Sequence, residues 1–198
     1  MPADRTALRN RLSALAATQS GYFSASQAKG LGYSYSQQNF HTERGNWIRV
    51  GRSLYRLPNW PIGPHDDLVR ASLWSRERGI VSHESAASVH GLGEIDPLRT
   101  HLTVPAGFRG RHPGVVLHRG TIDPAEVEEH AGFRLTVPLR TLVDVAHSAS
   151  DVDQLGRAIR AALDRRLVTM RQLRSRAEQL DLRSALNIER ALLEDARP

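Results

Sequence analysis

The sequence predicts an α+β protein: an N-terminal winged helix-turn-helix followed by a mixed α/β domain with a helical C-terminal tail. Three observations carry this. Two Ser-x-x-Gln segments, "SASQ" (24–27) and "SYSQ" (34–37), flank "GLG" (30–32), so two capped helices are joined by a glycine-containing turn. Two β-prone runs, 47–50 and 53–57, then meet at Gly51-Arg52, a two-residue hairpin signal. Beyond residue 65, short strand-like runs give way to helical periodicity.

In chain order, Leu8, Leu12 and Leu15 recur at spacings of four and three, which predicts an amphipathic helix over 5–18 with arginines on its other faces. "SGYF" (20–23) breaks it. Ser24 opens a short helix to about Lys29, and Ser34 opens a second to about Arg44, closed by Gly45. Trp47 and Tyr55 fall on the hairpin strands, where aromatics pack on a neighbouring face. "PNWPIGP" (58–64) places three prolines in seven residues and reads as a semi-rigid linker. The expected domains are therefore 1–60 and 65–198. The second is expected to hold helices over 65–78 and 83–90, strands within 79–82, 100–105, 114–120 and 132–138, and helices over 139–149, 152–166, 169–180 and 182–196.

Charge is distributed unevenly. The formal net charge is +6, and only Lys29 among the 27 basic residues is lysine. Residues 1–60 carry eight basic groups against Asp4 and Glu43, so the whole excess lies there, while the remainder is balanced. A concentrated positive field attracts polyanions, nucleic acid above all. With no cysteine there is neither a disulfide nor a thiolate site. No apolar run approaches the ~18 residues of a membrane span, and no apolar stretch follows the N-terminus, so a cytoplasmic location without membrane association is expected.

On the 34–44 helix, Gln37, Phe40, His41 and Arg44 share one face, and Phe40 marks that face as the packed one. The opposite face gathers Tyr35, Gln38, Asn39 and Thr42, with Ser36 at its edge. Amides there can pair with the N6/N7 edge of adenine. The helix start, with Ser34, Tyr35 and Ser36, can receive a phosphate. Arg52 at the hairpin tip, with Arg49 and Arg56 on its strands, can hold the DNA backbone. The expected DNA-binding set is thus Ser34, Tyr35, Ser36, Gln38, Asn39, Thr42, Arg49, Arg52 and Arg56, with Arg5, Arg9 and Arg11 facing solvent or flanking phosphates.

"GYFSASQAKGLGYS…GNWIRVGRSLYRL" resembles the N-terminal winged helix of AbiEi-type antitoxins of abortive-infection toxin–antitoxin operons. "HDDLVRASLW", "VSHESAASVHGL", "THLTVP", "VVLHRG" and "TVPLRTLVDVA" are similar to blocks of that family's second domain, so the likeness spans roughly Leu8 to Arg176. The resemblance implies a transcriptional autorepressor that binds an inverted-repeat operator in double-stranded DNA, two copies per site. It also implies neutralisation of a nucleotidyltransferase-like toxin by residues 65–198.

Enzyme chemistry finds little support in the sequence. His83, Glu84, His90, His101 and His118 are potential ligands, but His83 and His90 lie two helical turns apart and no H-E-x-x-H occurs. No phosphate-cradling glycine loop and no GxSxG is present. No catalytic residue, metal or cofactor is therefore expected. Asp123, Glu126, Glu128 and Glu129 read as a solvated turn. That cluster, or the arginines 157, 160, 165, 166, 171, 174 and 176 of the tail, is the sharper candidate for docking a partner. Two other classes stay open: a nuclease-like domain delivered by the winged helix, and a regulator or protein-interaction module without a toxin.

Overall fold

A computed structural model describes residues 5–149 and 151–195. They form two compact units, one running to Arg78 and taking in His130–Phe133, the other built from Gly79–Glu129 and the chain from Arg134 onward.

The first unit begins with α1 (Arg5–Ala17), whose Leu8, Leu12 and Ala16 are buried. The break after it is tighter than a loop, because Tyr22–Ser24 forms a strand, β1, that the sequence reading missed. Three residues are too few for a period-2 signal, and the strand exists only through its partner. Gly21 precedes it at φ +80°, and a Cβ there would stand 2.3 Å from Trp60 Cγ, so only glycine fits. α2 (Ala25–Leu31) and α3 (Tyr35–Glu43) follow, each opened by a complete capping box, on Ser24/Gln27 and Ser34/Gln37. Gly32 closes α2 in the left-handed region.

β2 (Ile48–Gly51) and β3 (Leu54–Arg56) make the wing, and the sheet order is β1-β3-β2. A register shift between Arg49 and Gly51 moves the turn to Arg52-Ser53, one residue beyond the predicted Gly51-Arg52, with Ser53 at φ 58°. Under the sheet lie Phe23, Tyr33, Trp47 and Tyr55; Phe23 meets Trp47 edge-on at 4.9 Å and Tyr55 in a stack at 5.8 Å.

The expected boundary at 58–64 does not end this unit. α4 (Asp66–Trp74), read from the sequence as the opening of the second domain, belongs to the first. Its Asp66 is buried and accepts from the Tyr22 hydroxyl at 3.0 Å and from Gly63 N–H at 3.0 Å. Burial, followed by Asp66, raises the Tyr22 pKa. A buried carboxylate bonded to Gly63 within the proline-rich segment and to Tyr22 before it ties the segment down.

Apart from His130 and Phe133, the second unit supplies a five-stranded mixed sheet in the order β6-β5-β4-β8-β7, from β4 (Ile80–Val81), β5 (Thr100–Val104), β6 (Val115–Arg119), β7 (Val127–His130) and β8 (Phe133–Thr136). β4 is antiparallel to β5 and parallel to β8, and β5 is parallel to β6. β7 stands where the sequence suggested a solvated turn; only a 3-10 turn at Pro124–Glu126 precedes it. α5 (His83–His90), α6 (Pro138–Ser148), α7 (Val152–Asp164), α8 (Met170–Leu180) and α9 (Leu182–Asp195) follow the predicted periodicity. Of the last predicted helix, Ala196 lies outside the described residues. Leu142, Leu155, Ile159, Leu173 and Ile188 are fully buried together and form the main core.

Candidate nucleic-acid interface

α3 turns a different side outward from the one its polarity suggests. Gln38 is only 1% exposed, and its Nε2 donates to the carbonyls of Ala25 and Tyr33, both at 3.2 Å. Thr42 is half-buried and its hydroxyl donates back to the Gln38 carbonyl at 2.8 Å. His41 is stacked on Trp47 at 4.9 Å, and burial lowers its pKa. The packed side is therefore Gln38, His41 and Thr42, and Gln38 and Thr42 leave the expected reading face. The physical reason is local. The start of α2 and the end of the turn present two inward carbonyls, which an amide satisfies and a phenyl ring cannot.

Phe40 is correspondingly 52% exposed and Tyr35 61%. The outward side of α3 comprises Tyr35, Ser36, Gln37, Asn39, Phe40, Glu43 and Arg44, all exposed. Arg44 sits over the Phe40 ring at 5.5 Å and Lys29, from α2, over Tyr35 at 5.1 Å. Ser34 and Ser36 remain exposed at the helix start, their hydroxyls 2.9 Å apart, with Ser34 accepting from Gln37 N–H. Lys29, Gln37, Phe40 and Arg44, which the sequence reading did not place on the outward side, stand exposed there with the residues it did. The second capping box did not reveal this, since Gln27 makes the same reach-back bond in α2 and is only partly exposed, bonded to Gln19 and Glu77.

On the wing, Arg49 and Arg52 are exposed as expected. Arg56 is not a free cation. Its Nη2 donates to the Trp60 carbonyl at 2.6 Å and the Pro61 carbonyl at 3.1 Å, lies 3.7 Å from Asp66, and the group covers the Tyr22 ring at 5.3 Å. It fastens the proline-rich segment instead of facing a phosphate, because β3 is the central strand of the sheet and its side chain points to the α4 side. Arg5, Arg9 and Arg11 are exposed along α1.

In the second unit the fold assembles histidines that the sequence separates. His83 and His118 stack at 3.4 Å, His118 Nε2 lies 3.1 Å from His101 Nδ1, and that nitrogen is 2.7 Å from Glu84 Oε2. Burial lowers His83 to about 3 and His118 to about 4, so both rings are neutral at pH 7. His90 lies elsewhere, with Nε2 on the Thr136 carbonyl at 2.7 Å. Among the described residues no group of three or more His, Asp or Glu is arranged to hold a metal ion. Glu126 is not solvated as expected. It accepts from Arg140 at 2.9 Å and Arg176 at 2.7 Å, and Arg140 also binds Asp144 at 2.8 Å. Of the tail arginines, Arg174 pairs with Glu189 at 2.6 Å, and Arg165 donates to the His90 and Gly91 carbonyls.

Residues 10–58 match the family model described as transcriptional regulator, AbiEi antitoxin, and residues 79–195 match the model of the AbiEi antitoxin C-terminal domain. The chain belongs to the AbiEi antitoxin family. It is accordingly an antitoxin and a DNA-binding transcriptional regulator of this family. No curated protein sequence gives a significant match. Among solved structures, the AbiEi chain is similar to the RV2827C protein from Mycobacterium tuberculosis, at 14% identity and a TM-score of 0.61, covering 98% of this chain and 78% of that one. At that identity the likeness speaks to the fold alone. No helix among the described residues of this AbiEi chain is long and apolar enough to cross a membrane.

Proposed function

We propose that this AbiEi protein represses its own operon by seating α3 in the major groove of an inverted-repeat operator, one copy per half-site. The observation that carries this reading is the outward side of α3. There Tyr35, Ser36, Asn39, Phe40 and Arg44 stand together in solvent, beside the exposed wing arginines Arg49 and Arg52. Asn39 offers a bidentate amide to adenine, Arg44 offers its fork to guanine, and Phe40 offers apolar contact to a thymine methyl. Ser34, Ser36 and the free N–H groups at the start of α3 receive a phosphate. Arg49 and Arg52 hold the backbone from the wing and position the helix without reading sequence. Palindromic operators mirror protein symmetry, so two copies occupy a full site. The protein acts in the cytoplasm, where the operator is, and the antitoxin domain matched over residues 79–195 counters a nucleotidyltransferase-like toxin encoded beside it.

Fluorescence anisotropy on a duplex from the upstream region, against a scrambled duplex and across salt concentrations, tests the DNA reading. The expected outcome is a preference of about 10³ or more for the natural duplex, with affinity falling steeply as salt rises. Equal, salt-insensitive binding to both duplexes would exclude it. Co-expression with the adjacent nucleotidyltransferase reading frame tests the toxin half through rescue of growth.

A further inference from the structure

β6 is an edge of the five-stranded sheet, and the ladder shows which of its backbone groups face outward. Thr100 N–H donates to the Gly114 carbonyl at 3.0 Å, and Gly120 N–H donates to the Val104 carbonyl at 3.0 Å. In a parallel pair only alternate residues bond to the neighbouring strand, so Val116 and His118 face β5 while Val115, Leu117 and Arg119 turn their backbone outward. Val115 N–H is taken by the His112 carbonyl at 3.1 Å, whereas the N–H and C=O groups of Leu117 and Arg119 have no partner among the described residues. The strand holds no proline, and its Val116 and Leu117 are half-buried. The charge around it is of one sign. Residues 97–122 hold Arg99, Arg109, Arg111 and Arg119 and no acid. All four are exposed, and among the described residues none forms an ion pair or hydrogen bond. Neighbouring acids are engaged: Glu84 with His101 at 2.7 Å and Asp181 with His147 at 2.7 Å. Asp123 caps the 3-10 turn that leads to β7, at the opposite edge of the sheet. Glu94 and Asp96 precede the stretch, on the loop that leaves α5.

We propose that the β6 edge is a docking site for an acidic, extended segment of a partner protein, which joins the sheet as an added strand. Leu117 and Arg119 present donors and acceptors in alternation, and another extended backbone meets both kinds. A phosphate only accepts hydrogen bonds, so a nucleic-acid backbone would leave the outward carbonyls unmet. Charge then selects among strands. Pairing with β6 of a second copy would set one arginine-bearing stretch against another, and like charges so placed repel. A segment bearing carboxylates meets Arg109 and Arg111 ahead of the strand and Arg119 at its end, while half-buried Val116 and Leu117 give its alternate side chains apolar contact. The same arginines keep the edge from pairing with itself and admit an acidic strand.

The test uses the full chain and a fluorescein-labelled peptide of alternating glutamate and valine, read by anisotropy. The peptide is expected to bind with a Kd of about 100 μM or less. A lysine-for-glutamate peptide is expected to bind at least about tenfold more weakly, because it meets the arginines with like charge. The glutamate peptide N-methylated at alternate residues is expected to lose at least about tenfold, because its backbone can no longer donate to the edge. Leu117→Pro removes an outward N–H and no bond to β5, so it is expected to weaken binding by at least about tenfold in a folded protein. The double variant Arg111→Glu, Arg119→Glu is expected to do the same. In amide exchange followed by NMR, Leu117 and Arg119 are expected to exchange fast in the protein alone and slowly with the peptide, while Val116 and His118 are slow in both. Circular dichroism checks the fold of each variant, and the peptide arms need no variant at all. Absence of binding up to about 1 mM, or equal binding of the N-methylated or lysine peptide, would overturn the proposal. So would protection of Leu117 that grows with protein concentration alone, which would give the edge to a second copy. A double variant that weakens scrambled duplex as much as the peptide would give the arginines to nucleic acid instead. The peptide arms contain no DNA, so their failure leaves the operator reading standing.

Discussion

The Gln38 side-chain amide donates to the Ala25 carbonyl at 3.2 Å, joining the middle of α3 to the first residue of α2. With its second bond to the Tyr33 carbonyl, this amide sets the rotation of α3 and so decides which residues meet solvent. Gln38→Ala is expected to destabilise the winged helix by about 2 kcal/mol, through a cavity and two unsatisfied carbonyls. Urea unfolding measures the loss. The ratio of affinities for operator and scrambled DNA is expected to stay unchanged in the folded fraction; a collapse of that ratio without loss of stability would place Gln38 on the reading side after all.

In the proposed seating of α3, Asn39 and Phe40 face the bases, so their replacement is expected to act on preference. Asn39→Ala and Phe40→Ala are each expected to cost about 1–3 kcal/mol on the operator and little on scrambled duplex, with unfolding midpoints near wild type. Paired anisotropy titrations check this, and equal losses on both duplexes would contradict it.

Arg52 and Arg56 stand four residues apart on one hairpin and do different work. Arg52→Ala is expected to weaken binding to every duplex alike and to reduce the slope of log K against log salt by about 0.9. Arg56→Ala is expected to leave that slope in place and lower stability by about 1–3 kcal/mol, because the Trp60 and Pro61 carbonyls and buried Asp66 lose their partner. Salt titrations and chemical denaturation, run on both variants, separate the two roles.

Acid is expected to weaken the second unit. His83 and His118, lowered to about 3 and about 4 from 6.5, bind protons in the unfolded chain before they do in the folded one. Their contribution is present above pH 6.5 and drains away as pH falls toward 4. Glu84, brought to about 2 as its contact with His101 outweighs burial, adds a loss of the same sign at lower pH, below 4.5. Asp144, raised to about 6 by burial, has the opposite sign: its contribution grows as pH falls from 6 toward 3.8 and offsets part of the loss. Two histidines against one carboxylate leave a net fall, read as a lower urea midpoint at pH 4.5 than at pH 7. His118→Phe, which keeps a ring on His83 and removes a titrating group, should flatten that fall; an unchanged pH profile would refute the assignment.

Arg140 stands between Asp144 and Glu126, and all three are largely buried. Arg140→Met is expected to cost about 3 kcal/mol or more by stranding buried Asp144 and leaving Glu126 with Arg176 alone. Chemical denaturation reads the cost, which is expected to shrink as pH falls below about 6 and Asp144, raised to about 6 by burial, takes up a proton, whereas Glu126, held below its ordinary range against the pull of burial, keeps Arg176.

The sequence by itself determined what depends on near neighbours. The capping boxes at Ser24 and Ser34, the left-handed Gly32, the helices of the C-terminal tail and the confinement of net charge to the first sixty residues follow from spacings of three or four and from simple count. Each needs no knowledge of what lies opposite. Tertiary structure decided everything that required a partner from elsewhere in the chain. Gln38 was sent inward by two carbonyls, and Phe40 outward in consequence, against the rule that the apolar residue is the packed one. Arg56 was claimed by carbonyls in the proline-rich segment and by Asp66, and β1 became a strand only because β3 had an open edge. His83, His101 and His118 met because β5 and β6 run parallel beside α5. A side chain's polarity states what it needs, whereas the backbone groups and charges that meet that need are placed by the fold.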